Sequence, residues 1–195
     1  MSYLNFVLLL VISYFLGNIS PSTLLAKARG LDIKKEGSGN AGTTNALRVM
    51  GKKAAAITLI IDVGKGWLAV FAAMKFLPAE FAYFCALAVF VGHVWPLVYK
   101  FKGGKGVATA FGTLLAINWQ LALACLGIVI IIVLLSKMVS LGSISAAVAF
   151  PVLAWFMQPG FLPAGICMAL ILLFKHRANI SRIVKGEENK ISFKK

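Results

Sequence analysis

The amino-acid sequence predicts an all-α polytopic membrane protein. Hydrophobic residues make up 60% of the 195-residue chain, and its mean hydropathy is +0.89. A soluble domain of this length does not need so many apolar residues to fill its core. A bilayer core about 30 Å thick is crossed by roughly 20 apolar residues in a straight helix. The chain holds several apolar runs close to that length, and these runs are therefore expected to be transmembrane helices.

Seven apolar segments are candidate membrane spans. In chain order they are residues 3–26, 54–74, 80–99, 107–118, 120–136, 141–157 and 160–175. Together they predict about seven transmembrane helices, some of them short or broken, in a single integral-membrane domain covering residues 1–195. The chain begins without a basic region before its first apolar run and without a convincing cleavage site, which favours a retained first span over a removed signal peptide.

The segments in the second half leave the number of spans open. Segment 107–118 rises only about 18 Å as a helix and meets the next segment at INWQ, Ile117 to Gln120. Either these two segments form a bent hairpin of short helices or the chain has fewer than seven spans. The last two candidates are also short, and a Pro/Gly turn at Gln158 to Pro163 separates them.

Basic residues are distributed unevenly between the two sides of the predicted bundle. With seven crossings, 18 of the 20 lysines and arginines fall on one side, whereas Lys75 falls on the other and Lys65 lies within a span. The positive-inside rule makes the crowded side cytoplasmic, with the N-terminus outside and the C-terminus inside. Topology signalling and attraction to anionic lipid headgroups explain most of these cations. They do not explain the polar residues that accompany particular cations.

Few residues within the predicted spans are ionisable or reactive. Asp62 and Lys65 are three positions apart in the second span. Because unpaired charges are costly in a bilayer, we interpret them as an ion pair that shapes helix packing rather than as catalytic groups. Apart from Glu80, at the very start of segment 80–99, no other acidic residue lies in a span, which argues against proton-coupled transport and against a carboxylate metal site. The three cysteines lack pairing or metal-ligand spacing, and we expect no metal or cofactor.

The first of three polar clusters begins with a glycine-rich loop within EGSGNAGTTNALR, Glu36 to Arg48. Gly37, Gly39 and Gly42 permit backbone conformations in which amide N–H groups converge on an anion. A flexible Gly/Asn loop without a ligand is the alternative interpretation.

The same cluster predicts a short helix that runs to about Met50, with Gly51 as its stop. The candidates for its N-terminal cap are Thr43, Thr44 and Asn45. A helix N-terminus carries a partial positive charge, and the planar guanidinium of Arg48 suits phosphate. The pattern therefore favours an anion at this cluster.

The second cluster, GHVWPLVYKFKGGKGVATAFG, extends from Gly92 to Gly112. Its KGGKG segment resembles a nucleotide-binding P-loop only in part, because Gly106 rather than Ser or Thr follows Lys105. We therefore expect no ATP hydrolysis. A glycine bend is expected to bring backbone N–H groups and Lys105 to one point, before a helix whose N-terminus faces the cytoplasm. His93 precedes the bend and is either an interfacial hydrogen-bonding residue or part of the site.

The third cluster, KHRANISRIVKGEENK, extends from Lys175 to Lys190 and follows the last apolar segment. The spacing of His176, Asn179 and Arg182 places them on one stripe of a continuing helix. An amphipathic tail lying on the headgroups is the alternative. That alternative does not explain why a histidine and an asparagine share a face with the arginine.

The three clusters together indicate an anionic ligand with an apolar part. Many groups suited to phosphate lie at one membrane surface, and good nucleophiles are lacking because no cysteine lies in a cluster. We expect direct transfer between two bound substrates, with cations neutralising phosphate. A transporter for a phosphorylated solute is the alternative, although the opposite face offers few polar groups. Nucleic-acid binding is not expected, since the aromatic residues lie mainly in the spans.

These motifs resemble the signatures of a known family. GSGNAGTTNALR, GHVWPLVYKFKGGKGVAT and KHRANISRIVKGEE, with DVGKG in the second span, are similar to the bacterial acyl-phosphate:glycerol-3-phosphate acyltransferases, the PlsY family. The resemblance implies a multi-pass enzyme of the bacterial inner membrane whose active site is on the cytoplasmic face. It implies acyl transfer from acyl phosphate to the 1-hydroxyl of glycerol 3-phosphate, the first step of phospholipid synthesis. The products are lysophosphatidic acid and phosphate, and we expect a monomer.

The resemblance also implies roles for individual residues. The expected catalytic residues are Ser38, Lys105 and His176. The expected substrate-binding residues are Gly37, Gly39, Asn40, Thr44, Asn45, Arg48, His93, Gly103, Gly104, Gly106, Asn179 and Arg182. The cations would hold the two phosphates, and either His176 or a substrate phosphate would accept the proton of the attacking hydroxyl. No covalent acyl-enzyme is expected, because acyl phosphate is already activated.

Overall fold

A computed structural model describes residues 3–191 of the chain. It contains the helices α1 (Tyr3–Gly17), α2 (Pro21–Lys27), α3 (Thr43–Met50), α4 (Lys52–Phe76), α5 (Ala79–Val94), α6 (Val107–Ile117), α7 (Trp119–Ser136), α8 (Val139–Met157), α9 (Leu162–Lys175) and α10 (Arg177–Val184). No strand occurs within that range, so the all-α prediction is confirmed. Lys194 and Lys195, which we assigned to the cytoplasmic side, lie outside the described residues.

Several helices have the length and composition of membrane spans. Four of them are long and apolar enough to cross a membrane on their own: α4, α7, α8 and the stretch Ala79–Tyr99, which contains α5. Two more spans are long enough only if a bent pair of helices counts as one span. These pairs are Tyr3–Gly17 with Pro21–Lys27, bent by 43°, and Pro159–Lys175 with Arg177–Val184, bent by 55°. The apolar helix α6 is shorter, with 11 residues. Short and broken spans are thus confirmed, while the number seven and the orientation of the termini stay predictions.

The break between the fourth and fifth predicted segments falls at Asn118. This residue is extended, and its side-chain oxygen accepts a hydrogen bond from the N–H of Leu121 at 3.0 Å. Asn118 is therefore the N-cap of α7 and ends the preceding helix α6. Segments 107–118 and 120–136 therefore form two separate helices, and the number of membrane spans stays a prediction.

The chain divides into two compact units, Met1–Ile117 and Asn118–Lys195, called unit 1 and unit 2 below. The expectation of a single domain over residues 1–195 stays a prediction. In unit 1, α1 packs on α5 and α4 packs on α6. Glycines allow both approaches, because a Cβ on Gly92 would overlap the Tyr14 carbonyl and one on Gly112 would overlap the Val63 carbonyl. Small residues at helix contacts are typical of packing in membranes.

A small apolar core lies beneath the first polar cluster in unit 1. Its buried members are Ala26, Ile33, Ala41, Ala46, Met50 and Ala54. They come from α2, α3, α4 and the loop between α2 and α3. The apolar side of α3 is therefore held against α2 and α4, which leaves the other side of this helix for Thr44 and Arg48.

Unit 2 contains the four helices α7 to α10. α7 packs on α8, and α8 packs on α9. The rings of Phe150 and Phe161 meet edge to face, with centroids 6.1 Å apart. Beyond α10 the chain returns to the α7–α8 turn, where the N–H of Ile191 donates to the carbonyl of Lys137 at 2.8 Å. This return brings Glu188 into contact with α8 and α10.

Candidate active site

The predicted site residues differ in exposure. The exposed ones are Gly37, Ser38, Gly39 and Arg48. The half-buried ones are Asn40, Thr44, Gly103, Lys105 and Arg182. The buried ones are Asn45, His93, Gly104, Gly106, His176 and Asn179. Two of the three catalytic candidates, Ser38 and Lys105, are thus within reach of solvent, and His176 is not.

Asn45 holds the first glycine-rich loop in shape. Its side-chain oxygen accepts the N–H of Ser38 at 2.8 Å, and its amide nitrogen donates to the carbonyls of Ile33 at 3.2 Å and Glu36 at 3.0 Å. The residue is only 1% exposed. Both N–H donors of this amide are therefore used within the loop. These contacts give Asn45 a structural role in the loop, and its contact with substrate stays a prediction.

The short helix after this loop begins and ends where the sequence predicts. α3 spans Thr43–Met50, and Gly51 follows it with φ +85°. The predicted cap is wrong, because Gly42 occupies the N-cap position and no side chain caps the helix. The hydroxyl of Thr43 is instead buried without a hydrogen-bond partner. A buried hydroxyl at a helix N-terminus is one more polar group that a phosphate could engage.

The backbone N–H groups of the second loop differ from our expectation. The N–H of Gly103 donates to the carbonyl of Val94 at 3.2 Å, and the N–H of Gly104 donates to the carbonyl of His93 at 3.1 Å. These bonds satisfy carbonyls at the C-terminal end of α5, which lack partners within the helix. The prediction that loop N–H groups converge on an anion is therefore wrong for Gly103 and Gly104. Glycine is needed here for close approach to α5, because a Cβ at either position would overlap atoms of His93.

Lys105 lies between this docked glycine pair and the start of α6. The next residue, Gly106, has φ +86°, and a Cβ there would overlap the ring of Phe90. Both flanks of Lys105 are thus fixed against α5, directly before the helix begins at Val107. A cation whose backbone is held on both sides is suited to hold a phosphate group in a fixed position.

The first and second loops meet at Gly104. A Cβ on Gly104 would lie 2.8 Å from the carbonyl oxygen of Ala41 and would overlap Nε2 of His93. Ala41 belongs to the glycine-rich loop before α3. The structure therefore brings two of the three predicted clusters together within unit 1.

Two lysines lie over the ring of Tyr99 beside these loops. The ammonium groups of Lys27 and Lys34 lie 5.6 Å and 5.5 Å from the centre of its ring. Burial lowers the pKa of Lys34, and the nearby charges of Lys102 and Lys27 lower it further, while Asp32 acts in the opposite direction. This concentration of positive charge adds to the attraction of anions toward unit 1.

The third cluster lies at a break in the helix, not on one continuing helix. α9 ends at Lys175 and α10 begins at Arg177, and the axes differ by 55°. His176 stands at this break, and its ring Nδ1 lies 2.9 Å from the carbonyl oxygen of Leu172. Because a carbonyl can only accept, Nδ1 carries the proton. In the neutral imidazole, Nε2 is then the nitrogen with the lone pair.

Glu188 joins the two remaining residues of the third cluster. One carboxylate oxygen accepts hydrogen bonds from Asn179 and Ser140, both at 2.8 Å, and the other accepts from Nε of Arg182 at 2.8 Å. Glu188 itself is 8% exposed. In this structure the anion held by Asn179 and Arg182 is therefore a carboxylate of the chain itself. Our sequence analysis missed this residue, although it lies within the third motif.

Replacing Glu188 by glutamine is expected to destabilise unit 2 by about 2 kcal/mol, because charge-assisted hydrogen bonds are lost and an amide faces Arg182. Thermal unfolding of the purified protein in detergent measures this loss. Glu187 offers a matched control, since it is exposed and adjacent. An equal effect of Glu187→Gln would contradict the role of the Glu188 carboxylate.

The contribution of Glu188 to the stability of unit 2 is also expected to depend on pH. Burial acts to raise the pKa of Glu188, but the hydrogen bonds from Asn179, Ser140 and Arg182 outweigh it and leave the pKa below its usual value. A carboxyl group with a lowered folded-state pKa stabilises fully above its unfolded pKa of about 4.3, and this stabilisation disappears as the pH falls through the folded value. The difference between wild type and Glu188→Gln should therefore shrink only in that acidic range.

Comparison with known proteins identifies the family. The family model described as glycerol-3-phosphate acyltransferase matches residues 7–186. The chain belongs to this family of acyltransferases. Two similar relatives, both named glycerol-3-phosphate acyltransferase, come from Clostridioides difficile (42% identical, covering 100% of both chains) and Laribacter hongkongensis (44% identical, covering 95% of this chain and 96% of the relative).

Solved structures support the same assignment. Two crystal structures of PlsY, an integral membrane glycerol 3-phosphate acyltransferase, are 32% identical to this chain and cover 96% of both chains. The TM-score is 0.92 for the glycerol 3-phosphate form and 0.89 for the lysophosphatidic acid form. The chain is accordingly a multi-pass membrane protein with this fold. Among residues 3–191, no group of His, Cys, Asp or Glu has an arrangement that suits a metal ion.

Proposed function

We propose that the chain transfers a fatty acyl group from acyl phosphate to the 1-hydroxyl of sn-glycerol 3-phosphate. The observation that carries this proposal is the near-complete similarity to PlsY, whose solved forms contain the acceptor and the acylated product. The donor follows from the resemblance of the three motifs. The reaction would be the first step of phospholipid synthesis, at the cytoplasmic face of the bacterial inner membrane.

The reaction needs no covalent enzyme intermediate. The hydroxyl oxygen attacks the acyl carbonyl carbon, the bond from that carbon to the phosphate oxygen breaks, and phosphate leaves with the bonding electrons. The hydroxyl proton passes to a base. Because phosphate is a good leaving group, the protein mainly has to hold two anions together and neutralise the charge that develops.

The basic residues of the three clusters are suited to this task. Arg48 is exposed on α3, and Lys105 is half-buried between two fixed glycines. Arg182 bonds Glu188 through Nε, so that a phosphate would engage its other two nitrogens. We assign these three cations to the phosphates of donor and acceptor, and Ser38 to the acceptor. Two charged substrates would otherwise repel each other on approach.

His176 is suited to accept the proton. Its Nδ1–H donates to the Leu172 carbonyl, which orients the ring and leaves Nε2 as the basic nitrogen of the neutral form. A phosphate oxygen of the substrate is the alternative acceptor. Asn179 lies three residues later and bonds Glu188, so we assign it to the support of this segment.

The function is tested by phosphate release from palmitoyl phosphate, measured with purified protein with and without glycerol 3-phosphate. Palmitoyl-CoA serves as the comparison donor. Release that depends on the acceptor, together with no transfer from the thioester, supports the proposal. A folded protein that is inactive with every donor would contradict it and favour transport of a phosphorylated solute, which uptake into proteoliposomes would reveal.

A further inference from the structure

Three buried ionisable residues meet within the helices of unit 1. Asp62 and Lys65 lie on α4, and His93 lies on α5. Oδ1 of Asp62 is 2.8 Å from Nζ of Lys65 and 3.3 Å from Nδ1 of His93. Charged groups at such positions are expensive to bury in a membrane protein, and they are usually retained for function.

Lys65 connects more than its ion-pair partner. Its ammonium also lies 2.8 Å from Nδ1 of His93, and it donates to the carbonyls of Gly17 at 3.1 Å and Ile19 at 2.6 Å. Those carbonyls lie where α1 breaks from α2. Carbonyls at a helix end lack partners within the helix, and Lys65 supplies donors to them. One side chain thereby joins α4, α5 and the α1–α2 break.

His93 connects this cluster to the second loop, which contains Lys105. One side of its ring faces Lys65 and Asp62 through Nδ1, and the other side lies against Gly104 through Nε2. Its backbone carbonyl also accepts the N–H of Gly104. The residue after Gly104 is Lys105. A movement of the His93 ring would therefore displace Gly104, the residue directly before Lys105.

An ion pair that only held helices together would not need a third member. Asp62 and Lys65 are three residues apart on one helix and already satisfy each other's charge. The additional contacts run to the α1–α2 break on one side and to the Gly103–Gly104 loop on the other. This arrangement is what a support for a fixed loop requires.

We propose that Asp62, Lys65 and His93 are positioning residues that fix the place of Lys105 in the reaction. This inference rests on the proposed function. It also changes our interpretation of two features: His93 acts through the loop and not by binding substrate, and the Asp62–Lys65 pair does more than shape helix packing. Asp62 and Lys65 hold the His93 ring against Gly104, and the ring holds the loop against α5.

The test uses variants that avoid a lone buried charge. Asp62→Asn combined with Lys65→Met removes both charges together, whereas either change alone would leave an unpaired ion. His93→Asn keeps a polar atom near the position of Nδ1 but withdraws the part of the ring that faces Gly104. Lys75→Met is the matched control, because it removes the same charge from the last turn of the same helix.

Two readouts separate positioning from simple stability. The first is kcat and KM for glycerol 3-phosphate, compared with the unfolding temperature of the same preparation. The second is hydrogen exchange of the loop at Gly103 to Gly106. We expect both test variants to stay folded, to lose about 100-fold in kcat/KM and to exchange faster in this loop, while α8 keeps its wild-type exchange.

The outcomes are distinct. If the test variants are folded and match Lys75→Met in kcat/KM and in hydrogen exchange of the loop, the positioning role is overturned. A wild-type protein that transfers no acyl group would overturn the proposed function instead. In that case, faster loop exchange in the variants would still support the role of the cluster in holding the loop.

Discussion

Replacing Lys105 by alanine is expected to abolish most acyl transfer while leaving the protein folded. The ammonium would neutralise charge on a phosphate during transfer, and losing one such preorganised group typically lowers kcat by about 100- to 1000-fold. The fold should survive, because the N–H groups of Gly103 and Gly104 hold this loop on the end of α5. Initial rates with palmitoyl phosphate and glycerol 3-phosphate, together with thermal unfolding in detergent, measure both parts.

Lys102 provides the control for this experiment. It lies in the same loop, is exposed and contributes to the same positive field. If the effect of Lys105→Ala were only a loss of general attraction for anions, Lys102→Ala should lower the rate comparably, and added salt should weaken both effects. Near-normal turnover by Lys105→Ala would contradict its catalytic role outright.

The sequence was sufficient to predict the helices because long apolar runs have few alternatives in a bilayer. Composition and run length indicated an all-α membrane protein, and Gly51 marked the end of α3. The Pro/Gly turn between the last two apolar segments was also foreseeable, whereas the break at His176, where the sequence has neither Pro nor Gly, was not. The foreseeable features depend on local chemistry, which the order of residues expresses directly.

Contacts between distant residues were beyond the reach of sequence patterns. Glycines in a loop suggested N–H groups free for an anion, yet the N–H groups of Gly103 and Gly104 bond the end of α5. Glu188 looked like one residue of a charged tail, yet it is buried on Asn179, Ser140 and Arg182. In both cases a buried group needs a partner, and the sequence does not reveal which partner the fold supplies.

The same limitation explains the change in our interpretation of His93. The sequence placed it near the membrane surface before a glycine bend, either as an interfacial hydrogen-bonding residue or as part of the site. In the structure Nδ1 faces the buried Asp62–Lys65 ion pair, and Lys65 lies 28 residues earlier in the chain. A histidine on an apolar helix carries no sign of such a partner unless the packing of α4 against α5 is known.

The largest mechanistic effect besides that of Lys105 is expected from His176→Ala. If Nε2 accepts the proton, turnover should fall by about 100- to 10,000-fold. The rate of the wild type should decline on the acid side, where imidazole becomes protonated, and the variant should lose that decline. His176→Gln separates two roles, because an amide can form hydrogen bonds but cannot act as a base. It should be as inactive as the alanine variant if His176 is the base.

The alternative makes the opposite prediction for the pH profile. If a substrate phosphate takes the proton, His176→Ala should lower the rate but keep the acid-side decline of the wild type, and His176→Gln should recover part of the activity. The Nδ1–H to Leu172 hydrogen bond supports the first outcome, since it holds the ring in the tautomer that a base requires. If both variants keep the decline of the rate at acidic pH, a substrate phosphate is the proton acceptor and His176 only orients the substrate.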